Sequence, residues 1–511
     1  MGEITCETGE QASEISENTC KTGPKPHLRV AIIGAGPAGI YAADILHRTA
    51  ENIAVSVDLF ERLPAPYGLV RYGVAPDHPR IKGIIGALKE VLDSGSINYF
   101  GNVAYGTDIT LTDLQKHYNA VIFATGAVQD APLNIPGIDA AGSYGAADFV
   151  NWFDGHPDVP RTWPLEARQI AVVGNGNVAL DISRMLIKHA DDLLPTEIPD
   201  SVYQGLKASP VEEVHVFGRR GPLQVKFTPL ELRELGEVRD VDMVLEERDF
   251  ELTDEYLESL VSNKQVLVMQ RIFNKWREEQ RAREAGETEA ASRRLHLHFW
   301  SKPVEVAVDE TGRVAGLKIE RTEPDGQGGI VGTGEFETVP VQALYRAVGY
   351  FGSPLSEVPF DAERGVIPNE AGRVVAGGEA LPGVYATGWI KRGPVGLIGA
   401  TKSDAKETID ALLADFAAGL LWGQGAESVA GGEPGGRALG GIGAADAGAA
   451  REPEAGTIER LLQERGVAYT TVAGWHALDQ HERALGAAAG RERIKVVSRE
   501  EMIEISRKNI A

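Results

Sequence analysis

The sequence predicts an α/β protein built on two Rossmann-like dinucleotide-binding folds. Two observations carry this. A strand, a glycine-rich turn and a helix follow one another from Leu28 to Arg48, and the same order returns from Gln169 to His189. The length, 511 residues, exceeds what a single hydrophobic core uses, so two or more domains are expected.

The elements read in order as follows. Leu28 to Ile33 is a short apolar run, the mark of a buried parallel strand. Ile40 to Arg48 reads as a helix, and Val55 to Phe60 as a second strand that ends at Glu61. Ala120 to Ala124 is a further buried strand, followed by Thr125 and Gly126. The pattern restarts with a strand at Gln169–Val173, a helix at Val178–His189 and a strand at Val214–Phe217. Lys264 to Arg294 is highly charged and reads as helix throughout. Sheet segments are expected at Val304–Val308 and Gly316–Arg321, and buried strands at Gln342–Val348 and Gly383–Thr387. Gly423 to Gly456 is rich in glycine and alanine, the composition of a linker. Thr457–Arg465 and Thr471–Glu482 read as helices, and Trp475 implies that this tail packs on something.

Composition removes several classes. A formal net charge of -23 argues against nucleic acid as a partner. No run reaches the ~18 apolar residues of a membrane span. The only cysteines are Cys6 and Cys20, so the chain holds neither a four-thiolate iron–sulfur cluster nor a CxxC pair. That usage fits a reducing cytosol. The first 27 residues lack arginine and an apolar core, and match neither a secretory signal nor a transit peptide. The histidines are scattered and show no metal-ligand spacing, so no metal is expected.

The first turn is Gly34-Ala35-Gly36-Pro37-Ala38-Gly39, a GxGxxG between strand and helix. Gly34 allows the tight turn, Gly36 lets a pyrophosphate approach the backbone, and Gly39 lets helix and strand pack closely. The helix start then offers free N–H groups to the phosphates. Glu61 supplies the expected acid for a ribose hydroxyl, and Pro37-Ala38 leans toward FAD. The second turn, Gly174-Asn175-Gly176-Asn177-Val178-Ala179, repeats the geometry, but its following strand ends in Arg219-Arg220. Two guanidiniums suit a 2′-phosphate, hence NADP(H) rather than NAD.

These features, with "PYGLVRYGVAPDHP" (Pro66–Pro79) and "GWIKRGPVGLIG" (Gly388–Gly399), resemble the ferredoxin–NADP⁺ reductases of the adrenodoxin-reductase type, which have the glutathione-reductase-like fold. The likeness extends through "GRRGPLQVKFTPLELREL" (Gly218–Leu235) and "RGVAYTTVAGWHALDQHE" (Arg465–Glu482), and spans roughly Leu28 to Ile505. The acidic tail before His27 and the Gly/Ala insert after Leu421 have no counterpart in it.

The resemblance implies noncovalent FAD, NADP(H) and a ferredoxin or similar iron–sulfur partner. It places FAD contacts at Gly34, Gly36, Pro37, Ala38, Gly39, Glu61, Leu69, Val103, Gly126, Gly388, Trp389, Gly396, Leu397 and Ile398. It places NADP contacts at Gly174, Asn175, Gly176, Asn177, Val178, Arg219, Arg220, Glu231 and Gly396. His78 and Glu234 match polar residues near nicotinamide and flavin, and are the candidates for handling a proton. The expected division is a disordered acidic tail (1–27), an FAD-binding domain (28–127 with 365–422), an NADP-binding domain (128–364), a linker (423–456) and a C-terminal segment packed on the main body (457–511).

A hydride from NADPH would enter through the flavin, and single electrons would leave to a separate carrier. An acidic ferredoxin calls for a basic docking patch. Arg184 and Lys188, four apart on one helix face, are candidates, as are Arg271, Lys275 and Arg277. Glu278 and Glu279 allow the latter group to be a solvated, self-paired helix instead. Lys391 and Arg392 are expected to face solvent and the acceptor. Competing readings are an FAD- and NADPH-dependent monooxygenase, a disulfide reductase using Cys6 or Cys20, and a noncatalytic flavin-binding sensor. The sensor has no use for the arginine pair.

Overall fold

The computed structural model describes residues 25–50, 52–251, 264–396, 399–423 and 457–508. Most of the acidic tail, nearly all of the Gly/Ala-rich segment, Leu397 and Ile398 lie outside the described residues. The labelled elements are β1 (His27–Ile33), α1 (Pro37–Thr49), β2 (Ala54–Glu61), β3 (Gln169–Val173), α2 (Asn177–Ile187), β4 (Glu213–Phe217), α3 (Pro229–Gly236), α4 (Lys264–Glu284), β5 (Arg293–His298), α5 (Ala400–Ala417) and α6 (Val472–Ala488).

The first sheet has seven strands, in the order Asn369–Glu370, Arg373–Ala376, Glu379–Ala386, Ala120–Phe123, β1, β2, Ile97–Gly101. The last five pair in parallel. Parallel strands are covered on both faces, which is why β1 reads as a continuous apolar run. Val30 and Ile32 pack toward α1 and α5 with Ile40, Ile409 and Leu412. Ala31 and Ile33 point the other way, to Phe60, Phe100, Ile458 and Leu462.

The second sheet has six strands, in the order Ser143–Gly145, Ala343–Arg346, β3, β4, β5, Val241–Leu245, all parallel. One face packs with α2, α3 and α4 through Leu180, Leu232, Phe273 and Trp276. The other meets a three-stranded antiparallel sheet (Ser301–Val308, Val314–Pro324, Ile330–Pro340) through Val173, Phe217, Val306 and Leu317. The chain passes between the two halves at Gln129–Asp130 and Tyr350–Phe351, which pair antiparallel.

Two expectations need correction. The charged segment does not stay helical to Arg294: α4 ends at Glu284, Gly286 takes φ +74°, and β5 runs as a central strand. Its alternation decides this, since Leu295 and Leu297 are buried while His296 and His298 occupy the opposite face. The charge of α4 hides a buried stripe of Val266, Met269, Phe273 and Trp276. The third strand of the antiparallel sheet, Ile330–Pro340, was not expected; it is almost wholly exposed and carries no core signal.

The C-terminal tail packs against the Pro66–Pro79 loop. Trp475 meets Tyr67 edge-on, with ring centroids 5.7 Å apart. Behind it lies a buried charge network. Glu482, with no exposed surface, accepts from Arg71 at 2.6 Å, from Arg493 at 3.0 Å and from the Val496 N–H at 3.0 Å. Lys495 bonds Glu197 at 2.8 Å and donates to the Arg71 and Asp154 carbonyls. The tail therefore ties the first half of the chain to the second.

Candidate active site

The first glycine loop has the geometry its spacing predicts. Gly34 takes φ +110°, and a Cβ there would stand 2.5 Å from the Ala124 carbonyl oxygen. A Cβ on Gly39 would stand 2.0 Å from the Gly34 carbonyl oxygen, so helix and strand pack too closely for any side chain. A Cβ on Gly36 would meet nothing within 4 Å, leaving room before the start of α1 at Pro37 and Ala38. Glu61 accepts from the Ala35 N–H at 2.9 Å and from the Leu63 N–H at 3.1 Å. Burial pushes its carboxyl up and those two N–H groups pull it down. Each carboxylate oxygen keeps acceptor capacity for a ribose hydroxyl.

Three other segments close on this loop. Tyr67 N–H donates to the Ala35 carbonyl at 2.8 Å, and the next residue, Gly68, which caps the turn starting at Leu69, would place a Cβ 3.2 Å from Gly36 Cα. Val103 is buried and its N–H donates to the Glu61 carbonyl at 2.9 Å. Gly388 takes φ +75°, with an added Cβ 2.6 Å from Ala38 Cβ, and Trp389 follows, half-buried. Asp404 of α5 fixes this turn, accepting from Gly388 N–H at 2.5 Å and Thr387 Oγ1 at 3.0 Å. Thr125 Oγ1 is buried without a partner among the described residues, beside Gly126, where an added Cβ would meet none of them within 4 Å. An open cradle, an orphaned hydroxyl and a free helix start fit FAD.

The second loop repeats the design. Gly174 takes φ +150°, and a Cβ would stand 2.1 Å from the Ala347 carbonyl oxygen, while Gly176 is open. Asn177 and Val178 begin α2, and Ala179 is fully buried. The Asn177 side chain accepts from Thr228 N–H at 3.0 Å, joining the loop to α3. Asn175 Nδ2 is buried with no partner. Arg219 is exposed and Arg220 half-exposed, and among the described residues neither has an ion-pair partner. Open glycine, an orphaned amide and two free guanidiniums fit NADP(H).

His78 joins the two halves. It closes the Pro66–Pro79 loop, yet its ring is held by the second half. Nε2 lies 2.8 Å from Asp181 of α2 and 3.0 Å from Glu231 of α3, and Nδ1 lies 2.9 Å from Glu234. Arg184 Nη2 also stands 2.5 Å from Nε2. Two donors cannot share that line. The surrounding carboxylates favour the proton on His78, with Arg184 bonded to Asp181 at 2.8 Å. Burial opposes the charge, hydrogen bonds to Asp181 and Glu231 outweigh it, and Arg184 offsets part of the gain; the imidazole is pushed up to about 9. A raised value stabilises the fold fully below pH ~6.5, and that contribution is lost as pH climbs through about 9. The wild type should therefore exceed His78→Gln in thermal midpoint at pH 7, and the gap should close above pH 9. A gap that is constant from pH 6 to 10 contradicts this protonation state.

The structure relocates several predicted residues. Arg184 is buried and paired with Asp77 at 2.9 Å, and Lys188 binds the same carboxylate at 2.8 Å, so neither offers a free docking charge. Lys275 pairs with Glu279 and Arg277 with Glu247; only Arg271 of that group lacks an ion-pair partner among the described residues. Lys391 does not face solvent: it is buried, 3.1 Å from Asp404 and 2.6 Å from Glu407. Arg392 is exposed, as expected, but its guanidinium is shared with those two carboxylates. Among the described residues, an added Cβ on Gly396 would meet Ala400 Cβ at 3.0 Å. Asp181 escaped sequence reading, since nothing local marks it as a partner of His78.

A family model described as pyridine nucleotide-disulphide oxidoreductase matches residues 28–235. NADPH-ferredoxin reductase FprA of Mycobacterium tuberculosis is 37% identical over 93% of this chain and 98% of its own. The chain belongs to this reductase family. The mitochondrial NADPH:adrenodoxin oxidoreductase of Arabidopsis thaliana is 34% identical to this reductase over 93% of the chain and 95% of its own. The solved structure "Mycobacterium tuberculosis FprA in complex with NADPH" superposes with a TM-score of 0.80 at 36% identity, covering 94% and 99% of the two chains. The reductase thus has the fold its sequence predicts, two dinucleotide-binding domains of the glutathione-reductase-like kind. No helix among its described residues is long and apolar enough to cross a membrane.

Proposed function

We propose that this chain is a ferredoxin–NADP⁺ reductase, an FAD enzyme that moves electrons from NADPH to a small iron–sulfur protein such as ferredoxin. One observation carries the reading. Two open glycine loops lie on two parallel sheets, the second loop carries a free arginine pair, and His78 bridges the halves.

FAD, when bound, supplies the conversion between a two-electron hydride donor and a one-electron acceptor. The chain's own groups supply the placement. Gly34, Gly36 and the start of α1 take the first pyrophosphate, and Glu61 takes a ribose hydroxyl. Leu69, Val103, Gly126, Gly388 and Trp389 wall the same site. Asn175, Gly176 and Asn177 take the second pyrophosphate, and Arg219 with Arg220 clamp the 2′-phosphate. His78 Nε2 bonds the half-buried Asp181, with the buried Glu231 3.0 Å from the same nitrogen and Glu234 2.9 Å from Nδ1, so three carboxylates favour the charged ring. We assign FAD to residues 28–127 with 365–422 and NADP(H) to 128–364, because the chain crosses between the halves at the Gln129–Asp130 and Tyr350–Phe351 ladder. We place the enzyme in the cytosol, where two lone thiols stay reduced.

The test is NADPH-driven cytochrome c reduction with and without a small ferredoxin, alongside oxygen uptake. Ferredoxin should accelerate cytochrome reduction severalfold while oxygen uptake stays low. Ferredoxin without effect, and oxygen consumed in step with NADPH when an organic substrate is added, would favour the monooxygenase.

A further inference from the structure

The turn that carries Arg219 and Arg220 is anchored along its backbone and open at its side chains. β4 ends at Phe217, and the carbonyls that follow all accept from the antiparallel sheet or from the residue that leads into it. Ser301 N–H donates to the Gly218 carbonyl at 2.9 Å, Thr322 Oγ1 to the Arg219 carbonyl at 2.8 Å, and Trp300 N–H to the Arg220 carbonyl at 3.2 Å. On its other side the turn is tied to β5, because Gly218 N–H donates to the His298 carbonyl at 2.8 Å. Arg219 is exposed, and neither guanidinium has an ion-pair partner among the described residues.

The donors are themselves fixed. Trp300 is 4% exposed and takes φ +50°, a region that bulky side chains avoid unless their surroundings hold them in it. Here Thr322 N–H donates to the Trp300 carbonyl at 2.9 Å, and the indole Nε1–H donates to the Asp249 carbonyl at 3.2 Å. The indole lies against the arginine turn, where a Cβ added to Gly221 would stand 2.1 Å from the ring. Asp249, with no exposed surface, accepts from Phe299 N–H at 2.9 Å and from Arg321 Nη2 at 2.6 Å. Arg321 Nη1 also donates to the Phe299 carbonyl at 3.0 Å. A buried ion pair thus stands behind the segment that meets the turn.

One of these anchors depends on a side chain. Positions 300 and 301 donate through the backbone, as any residue except proline does. The Arg219 carbonyl accepts instead from the hydroxyl of Thr322, a buried residue on the strand Val314–Pro324. Two arginines that converge on one phosphate lose rotamer freedom when they bind it. A fixed backbone beneath them spares the cost of ordering the turn as well.

We propose that Thr322 and Trp300 are positioning residues for NADPH, holding the backbone from which Arg219 and Arg220 reach the 2′-phosphate and so setting the preference for NADPH over NADH. The inference rests on the arginine-clamp reading above. It gives the antiparallel sheet a part in nucleotide choice, although no side chain of that sheet touches the phosphate.

The test is steady-state kinetics of the FAD-loaded full chain with both nucleotides. Thr322→Val should lower the ratio of kcat/KM for NADPH to that for NADH about five- to tenfold, the effect of one hydrogen bond. The loss should lie in KM for NADPH rather than in kcat, because the 2′-phosphate is held alike in ground and transition states. Thr322→Ser, which keeps the hydroxyl, should retain the wild-type ratio. A merely loosened fold would weaken both nucleotides alike and leave the ratio where it was. In the Arg219→Ala/Arg220→Ala background, Thr322→Val should lower the ratio no further. An unchanged ratio in Thr322→Val, or the same drop with and without the arginines, overturns the positioning role and leaves the clamp standing. If replacing the arginines itself costs NADPH and NADH equally, the clamp reading falls and this inference with it. Should Thr322→Val fail to retain FAD, Gly221→Ala, whose Cβ would displace the Trp300 indole, decides by the same ratio.

Discussion

Glu482→Ala should be the most damaging single substitution outside the cofactor loops, costing about 3–5 kcal/mol of stability, the range for breaking a buried ion pair. Glu482 has no exposed surface and is the only carboxylate within ion-pair distance of the Arg71 guanidinium among the described residues. Arg493 would keep Asp479 at 2.8 Å, but Arg71 would be left buried against Tyr72 and Trp475. Arg71 lies in the turn that begins at Leu69, so the damage should reach FAD retention as well as unfolding. The check is the urea midpoint of the FAD-loaded protein together with the flavin retained after gel filtration. Removing both charges in Arg71→Met/Glu482→Leu should cost much less than Glu482→Ala, because two apolar groups leave no charge unpaired. If the double variant is as unstable as the single one, packing rather than charge holds the tail.

Replacing Arg219 and Arg220 together by alanine should lower kcat/KM for NADPH by on the order of 100-fold or more, mostly through KM. Charge-assisted bonds to a phosphate contribute about 1.5–3 kcal/mol each, and two are removed. NADH lacks the 2′-phosphate and should lose little. The fold should hold, because both side chains lack ion pairs among the described residues, and the backbone contacts here are the Arg219 and Arg220 carbonyls with Thr322 and Trp300. Steady-state kinetics with both nucleotides decide it. Equal losses for NADPH and NADH would remove the 2′-phosphate assignment.

These two residue sets differ in how far the sequence reveals them. The glycine loops and Arg219-Arg220 were legible because their geometry is local: a strand end, a turn and a helix start within a few residues. The continuous apolar runs of β1 and β3 likewise announced buried parallel strands. What stayed hidden depends on distance along the chain. Glu482 meets Arg71 across 411 positions, and Asp181 meets His78 across 103. Lys391 reads as a solvent-facing cation in a glycine-rich loop, and only the fold brings Asp404 and Glu407 over it. The charge of 264–294 concealed a helix end and a strand, because Leu295 and Leu297 alternate over too short a stretch to outweigh their polar neighbours.

The central claim is that this chain converts a two-electron donor into a one-electron source for an iron–sulfur protein. Its most direct test is the anaerobic stoichiometry between NADPH and ferredoxin at catalytic enzyme. Each NADPH oxidised should reduce two molecules of a one-electron ferredoxin. A ratio of one to one, or NADPH oxidised with no ferredoxin reduced, would contradict the account.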